Sequence, residues 1–405
     1  MKENFAILSH ILPPSPSGQA TVLYRLLHTL PTDAYCLISR QNYNGGMQSL
    51  HATAKLDVPY HYLKPAFQFP SLKVGKLNVI SGLLNNLAGI MSRATQLKHI
   101  LKRTQSTLLL ACTGDLYDLP AAYLASRWIQ IPYVVYIFDD YKYQWTGFSR
   151  SVSAFTEPVV LRHAKAIIVA NEFMQNEYLK RYSLPSMVIH NPCSMPDLDI
   201  LDRSDKLYKG KNINIVYTGS IYHAHFDAFR NLIAALNHIG RDDIKVHLFT
   251  AQSEYELRQH GISGPMIVHH EHIHETDVPK ALRQADVLFL PLAFNSSIQE
   301  VVRTSAPGKT GEYLSVARPI LVHAPQDTFL SWYFAQHSCG VVVNNNDPHI
   351  LAKQLISLLE NKKAQSTMSR NARKAAEQDF SLDLTSTLFT EIVKSMGAGY
   401  SACKF

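Results

Sequence analysis

Short apolar runs alternate with amphipathic helical stretches along almost the whole chain, and that rhythm dictates the fold class. Phe5–Leu12 reads as a strand, and Thr21–Leu30 follows as a helix with Val22, Leu23, Leu26, Leu27 and Leu30 on one face. Further strands are predicted at Ala34–Ser39, Thr107–Cys112, Tyr133–Phe138, Ala166–Ala170 and Met187–His190. Helices at Leu119–Trp128, Ala154–His163 and Phe173–Arg181 separate most of them. Parallel neighbours must be joined by a crossover, so this alternation implies a parallel sheet with right-handed connections.

Asn191–Gly210 breaks the pattern with Pro192, Pro196 and a cluster of charges, and reads as a linker. The alternation then restarts at Ile213–Thr218 and continues through Ile244–Phe249, Met266–His269, Val287–Pro291, Pro319–His323 and Gly340–Val343. Ile350–Met396 reads as helical throughout, long enough to return across the molecule. The expected architecture is α/β, with one parallel-sheet domain over residues 1–195, a second over 210–381, and a closing helix (382–405) packing back on the first. A cleft between them, at strand carboxyl ends, is the expected ligand position.

Composition narrows the class. A chain of 405 residues with 46% apolar content can build two or three cores and is not disordered. The longest apolar stretch, Val79–Met91, is interrupted by Asn85 and Asn86 and falls short of the ~20 residues a membrane span needs. Pro13 and Pro14 follow the first apolar run where a signal peptide has a small-residue cleavage site. Cys36, Cys112, Cys193, Cys339 and Cys403 are widely separated with no C-x-x-C pair, which argues against a disulfide framework and a zinc site. The expectation is a cytoplasmic protein.

The net charge of +7 is unevenly spread. Val58–Gly114 holds no acidic residue but carries Lys64, Lys73, Lys76, Arg93, Lys98, Lys102 and Arg103. Leu77, Val79, Ile80, Leu83, Leu84, Leu87, Ile90 and Met91 are interleaved with them. Two readings stand: a helix lying on an anionic bilayer, placing the protein on the inner face of the membrane, or a buried helix followed by a solvated basic one. No basic run is interleaved with stacking aromatics, so no nucleic-acid partner is expected.

The segment from Arg303 to Pro319 carries the most chemistry. It lies between two predicted strands, so its helix spans about Pro307–Val316, with Thr304 or Ser305 capping the free N–H groups and Pro307 in the first turn. A helix N-terminus with a lysine in its first turn suits a diphosphate. Lys309 and Glu312, three residues apart, share a face. The ammonium can meet phosphate oxygens while the carboxylate accepts bonds from vicinal hydroxyls; the alternative is a solvated Lys–Glu pair on a capped helix.

Here the chain resembles the retaining nucleotide-sugar glycosyltransferases of family 4, which have the GT-B fold of two Rossmann-like domains facing a cleft. Glu312-Tyr-Leu-Ser-Val-Ala-Arg-Pro-Ile-Leu-Val is similar to that family's second-glutamate stretch, and Ala281–Pro291 to the helix and strand before it. Ile215-Val-Tyr-Thr-Gly-Ser220 resembles the opening strand and loop of its donor domain. Ile167–Glu172, Val188–Pro192 and Pro13–Gly18 resemble parts of its acceptor domain.

The resemblance implies a sugar transferred from a nucleoside diphosphate to a hydroxyl of a glycan or lipid-linked acceptor, with no cofactor and no metal. Glu312 would bind the ribose. Lys309 would hold the diphosphate, assisted by the backbone around Ser305, Pro307, Gly308 and Thr310 and by Gly219 and Ser220. His272 and Ile273 fall in the region that contacts the base, and Ser17, Gly18 and Gln19 form the phosphate or acceptor loop.

Three positions depart from the family. Thr304 stands where the first glutamate is usual, so Glu300 or the backbone of Ser305–Gly308 would hold the sugar. His223 and His225 stand where an Arg and a Lys are usual, leaving more phosphate charge to Lys309 and Arg303. Phe138 replaces a histidine before Asp139 and Asp140. Those two carboxylates end a strand, where they either position an acceptor hydroxyl or cap the next helix. Tyr141, Tyr143 and Trp145 beside them suit either sugar stacking or packing. The rival functions are a sugar-nucleotide epimerase of the same fold and a non-catalytic nucleotide- or sugar-binding protein.

Overall fold

The computed structural model describes residues 4–43, 54–65, 75–208, 210–271 and 273–397. The chain forms two compact units, Met1–Ile189 with Ser386–Phe405 and His190–Thr385.

In the first unit the elements run β1 (Phe5–Leu8), α1 (Gly18–Leu27), β2 (Tyr35–Ser39), β3 (Tyr60–Tyr62), α2 (Gly75–Arg103), β4 (Leu108–Cys112), α3 (Asp118–Ile129), β5 (Tyr133–Ile137), α4 (Gly147–His163), β6 (Ala166–Val169), α5 (Glu172–Tyr182) and β7 (Met187–Val188). The described strands pair in the order β3-β2-β1-β4-β5-β6-β7, and every pairing is parallel. Strands β1, β2, β4 and β5 are buried along their whole length, as expected of a sheet covered on both faces. β3 was not legible in the sequence: it is a three-residue edge strand, Tyr-His-Tyr, with no apolar run.

Helix α2 corrects one sequence expectation. Instead of a buried helix followed by a separate basic one, Gly75–Arg103 is a single 29-residue helix. Asn86 lies within it, its side-chain amide donating to the Gly82 carbonyl at 2.7 Å. Arg93 points inward, pairing with Asp115 and Asp118. Gly89 lets α2 approach closely, since a Cβ there would lie 2.8 Å from the Tyr117 ring.

The second unit runs α6 (Leu198–Asp202), β8 (Ile213–Thr218), α7 (Phe226–Ile239), β9 (Ile244–Phe249), α8 (Glu254–Gln259), β10 (Ile267–His270), α9 (Val278–Arg283), β11 (Val287–Pro291), α10 (Gln299–Thr304), α11 (Lys309–Ser315), β12 (Ile320–His323), α12 (Phe329–Gln336), β13 (Val341–Val343), α13 (Pro348–Glu360) and α14 (Lys362–Ala375). A short π-helical turn, Ala376–Phe380, leads into α15 (Leu382–Gly397). The sheet order is β10-β9-β8-β11-β12-β13, again all parallel. The latter part of α15 belongs to the first unit, where Phe389, Ile392 and Val393 join its core.

Residues 191–208 of the segment 191–210, expected to be a linker, are folded onto the second unit. They carry α6, whose Asp202 pairs with Arg283 at 2.7 Å, and the Cys193 N–H donates to the Phe380 carbonyl at 2.8 Å. Strand order reverses between β1 and β4 in one sheet and between β8 and β11 in the other, the switch points at which α/β sheets bind ligands.

Candidate functional site

At the second unit's switch point, β8 ends in Tyr217-Thr218 and turns at Gly219, whose φ of +105° belongs to the left-handed region. Lys309 opens α11 and reaches back to this turn. Its ammonium donates to the Tyr217 hydroxyl at 2.5 Å and sits 3.8 Å from the centre of that ring. The Tyr217 hydroxyl in turn donates to the Ser220 carbonyl at 2.7 Å. Gly219 is required for its φ, and a Cβ there would press on the Lys309 Nζ at 3.1 Å. A second tyrosine pins the same helix to the same strand, the Thr218 N–H donating to the Tyr313 hydroxyl at 2.9 Å. Gly311 permits the close fit beneath, where a Cβ would meet the Cys193 Sγ at 2.9 Å.

The electrostatics are unusual for a lysine. Loss of water lowers Lys309 to about 7, opposed by Glu312 on its own helix. His225, just before α7, is buried and held well below its ordinary value, first by burial and then by Lys309 and His223. Its Nδ1 has no hydrogen-bond partner among the described residues, and neither do the buried Thr310 hydroxyl and Asn191 Oδ1. Asn191 donates through Nδ2 to the Ala306 carbonyl at 2.7 Å, so it braces the loop leading into α11. The Lys309 ammonium, the His225 ring nitrogen and the Thr310 hydroxyl can each donate, an arrangement that an anion with several acceptor oxygens would stabilise, whereas Asn191 Oδ1 only accepts.

Capping at this helix differs from the sequence expectation. Helix α11 covers seven residues and its N-cap is Gly308, with no side-chain cap. Thr304 and Ser305 do not cap it: Thr304 closes α10 with its hydroxyl donating to the Glu300 carbonyl at 3.2 Å, and Ser305 is the extended residue that ends α10. Pro307 lies before the first turn, accepting from the Thr310 N–H at 2.9 Å. The reason is that Gln299–Thr304 forms a helix of its own, which claims the residues that would have capped the next. A short helix has a weak dipole, so the charge here rests on Lys309.

The other sequence candidates are spread more widely. Glu312 is half-buried on the Lys309 face. Ser220 is exposed just after the turn. Arg303 pairs with Asp327 at 3.3 Å, and Glu300 is exposed in the first turn of α10. Ile273 is half-buried after β10, and His272 lies outside the described residues.

In the first unit, Ser17 caps α1 by accepting from the Ala20 N–H at 3.2 Å, and Gly18 has open space around it. Gln19 ties two strand ends together, donating to the Ser9 hydroxyl at 2.9 Å and the Thr113 carbonyl at 3.1 Å. The Thr113 hydroxyl accepts from the Phe138 N–H at 2.9 Å, which aligns the end of β5 with the β1/β4 switch point. The two aspartates there part company. Asp139 is exposed, and its carboxylate accepts no hydrogen bond among the described residues. Asp140 is fully buried, pairs with Arg181 and accepts from the Lys142 and Tyr143 N–H groups at 3.1 and 3.0 Å. Its carboxylate is thus committed to the fold, as a turn cap.

Sequence reasoning gave no role to Tyr217, Asn191 or His10. His10 adjoins Gln19 and Gly114, where a Cβ would lie 2.5 Å from its ring, and burial lowers its pKa. A histidine inside the first apolar run, Phe5–Leu12, was the available signal; Tyr217 had none, being indistinguishable from a core aromatic.

Residues 212–361 match the family model described as glycosyl transferases group 1. No curated protein matches the chain. Among solved structures, the chain is similar to Anabaena Alr3699/HepE in complex with UDP and glucose, with 14% identity, a TM-score of 0.66, and 96% of this chain and 99% of that one covered. Sucrose-phosphate synthase from Thermosynechococcus elongatus gives 13% identity and a TM-score of 0.68 over 98% and 100% of the two chains. WaaG, a glycosyltransferase involved in lipopolysaccharide biosynthesis, gives 14% and 0.63 over 98% and 100%. At these identities the likeness establishes the fold: the chain has the α/β GT-B fold, two Rossmann-like parallel-sheet units.

Proposed function

We propose that the chain is a glycosyltransferase that moves a sugar, with retention of configuration, from a nucleoside-diphosphate sugar to a hydroxyl of a glycan or lipid-linked acceptor. The observation that carries this reading is the Lys309 ammonium, desolvated at the β8 turn beside an unpartnered histidine nitrogen, with Glu312 one helical turn away. The family match over this unit and the UDP and glucose held by the Anabaena structure support a donor of that class.

Glu312 accepts from the ribose hydroxyls, and Lys309 meets the diphosphate. As the bond from the sugar's anomeric carbon to the diphosphate breaks, its electron pair passes to the leaving oxygen and the ring becomes oxocarbenium-like. An ammonium fixed beforehand at that oxygen is worth about 3–4 kcal/mol, by analogy with oxyanion donors. Diphosphate binding on these terms needs no metal. The acceptor's hydroxyl oxygen forms the new bond to the anomeric carbon, and its proton passes to a carboxylate, the role we assign to Asp139, exposed at its strand end.

The test is donor binding and product analysis with and without an acceptor extract. Lys309→Ala and Glu312→Ala should each abolish most binding and transfer. Unchanged binding and turnover in both variants would remove the site. A changed sugar nucleotide formed without acceptor would make the protein an epimerase, and binding without turnover a non-catalytic one.

A further inference from the structure

Three neighbouring strands of the second unit are pinned together at one side chain. Gln252 lies in the loop after β9, the strand between β8 and β10. Its Oε1 accepts from the Ile221 N–H at 2.8 Å, two residues past Gly219, and from the Thr250 hydroxyl at 2.6 Å. Its backbone carbonyl accepts from His269 Nε2 at 2.8 Å, near the end of β10. The loops leaving β8 and β9 therefore meet the end of β10 at this residue.

The pins settle which way the carboxamide faces. Ile221 offers an N–H, so the amide atom opposite it is the oxygen, and Nε2 points away from both pins. The two N–H groups on Nε2 make no hydrogen bond among the described residues. Gln252 is half-buried, and Nε2 keeps contact with solvent. With its oxygen spent inside the fold, the side chain presents donors only.

A nucleoside diphosphate that meets Lys309 at the β8 turn, with its base directed toward β10, runs past β9 and Gln252. We propose that Gln252 Nε2 donates to a carbonyl oxygen of the donor's base. This rests on the nucleotide-sugar reading above and adds the class of base to it. Glutamine reads adenine with both ends of its amide, nitrogen to N7 and oxygen to the N6 amino group. With Oε1 occupied that pairing is closed, and the carbonyl of a uracil or guanine is the matching partner.

The affinities of UDP, GDP and ADP are measured by titration calorimetry on the full chain and on two variants. The readout is the ratio of the tighter of UDP and GDP to ADP, in which ribose and diphosphate contacts cancel. Wild type should favour the carbonyl-bearing base by at least about tenfold. Gln252→Glu keeps an oxygen for Ile221 and Thr250 but loses the donors, whereas Gln252→Ala loses both. Each should lower the ratio about five- to tenfold, Gln252→Glu with an unaltered thermal melt.

A ratio that Gln252→Glu leaves at the wild-type value overturns the proposal, because the pins alone would then account for any loss in Gln252→Ala. So does an equal loss for all three nucleotides, which would place the contact on the ribose or the diphosphate. If none of the three binds the wild type, the donor reading itself fails and takes this inference with it; binding with an unchanged ratio removes the base assignment alone.

Discussion

If Lys309 meets a diphosphate, donor binding must take up a proton. In the free protein its pKa is about 7, chiefly because burial strips water from the ammonium. A bound diphosphate supplies the counter-charge that burial withholds, returning the group toward its ordinary 10.5. The cationic form binds, so affinity falls as pH rises above the free-state value. Between pH 7 and 9 the loss is about 50-fold if the whole shift is recovered, or about 2.3 kcal/mol at 1.36 kcal/mol per pKa unit. At pH 8 about 0.9 proton is taken up per UDP bound. His225, held well below 6.5 by burial, Lys309 and His223, is neutral in the free protein across this range.

Titration calorimetry of UDP in two buffers of different ionisation enthalpy reads the uptake directly. Lys309→Met should bind weakly, with no uptake and a flat profile. Stability gives an independent sign. A lysine depressed in the fold destabilises it fully below pH 7 and progressively less toward 10.5, so Lys309→Met should raise Tm most at neutral pH and below. A wild-type affinity that is flat from pH 7 to 9, or uptake that persists in Lys309→Met, refutes the reasoning.

Glu312→Gln removes the carboxylate that raises Lys309, so the pH at which UDP binding declines should move down, as a pH–affinity series will register. Tyr217→Phe keeps the ring but loses the hydroxyl that holds the ammonium, costing about 0.5–1.5 kcal/mol of UDP affinity by calorimetry. Gly219→Ala forces a side chain onto a φ of +105° and into the Lys309 head, so donor affinity and Tm should both drop, stability by more than about 1 kcal/mol. Asp140→Ala takes from half-buried Arg181 one of three carboxylate partners and frees the Lys142 and Tyr143 N–H groups, and should cost about 1–3 kcal/mol in urea unfolding. Asp139→Ala, by contrast, should stay within about 0.5 kcal/mol while lowering transfer.

Much of the scaffold could be read from residue order alone. Ile213–Thr218, Ile244–Phe249 and Val287–Pro291 lie where their apolar runs placed them, because a strand buried on both faces must be apolar at every position. Lys309 and Glu312 share a helical face because three residues fix that geometry locally. Edge and capping features escaped for the converse reason. β3 has no hydrophobic signature, and Thr304 and Ser305 were claimed by α10, whose existence depends on tertiary packing.

What the sequence by itself determined was the succession of strands and helices and the presence of one lysine ahead of a strand-linked helix, since both follow from periodicity and spacing. Tertiary structure alone decided which groups act on that lysine. Tyr217 lies 92 residues away in the chain and reaches it only through the sheet. The same holds for the aspartates: Asp139 and Asp140 are adjacent in sequence, yet Arg181, 41 residues on, binds one inside the fold while the other faces water. Burial and long-range partners set desolvation and charge, and neither is encoded at the residue that feels them.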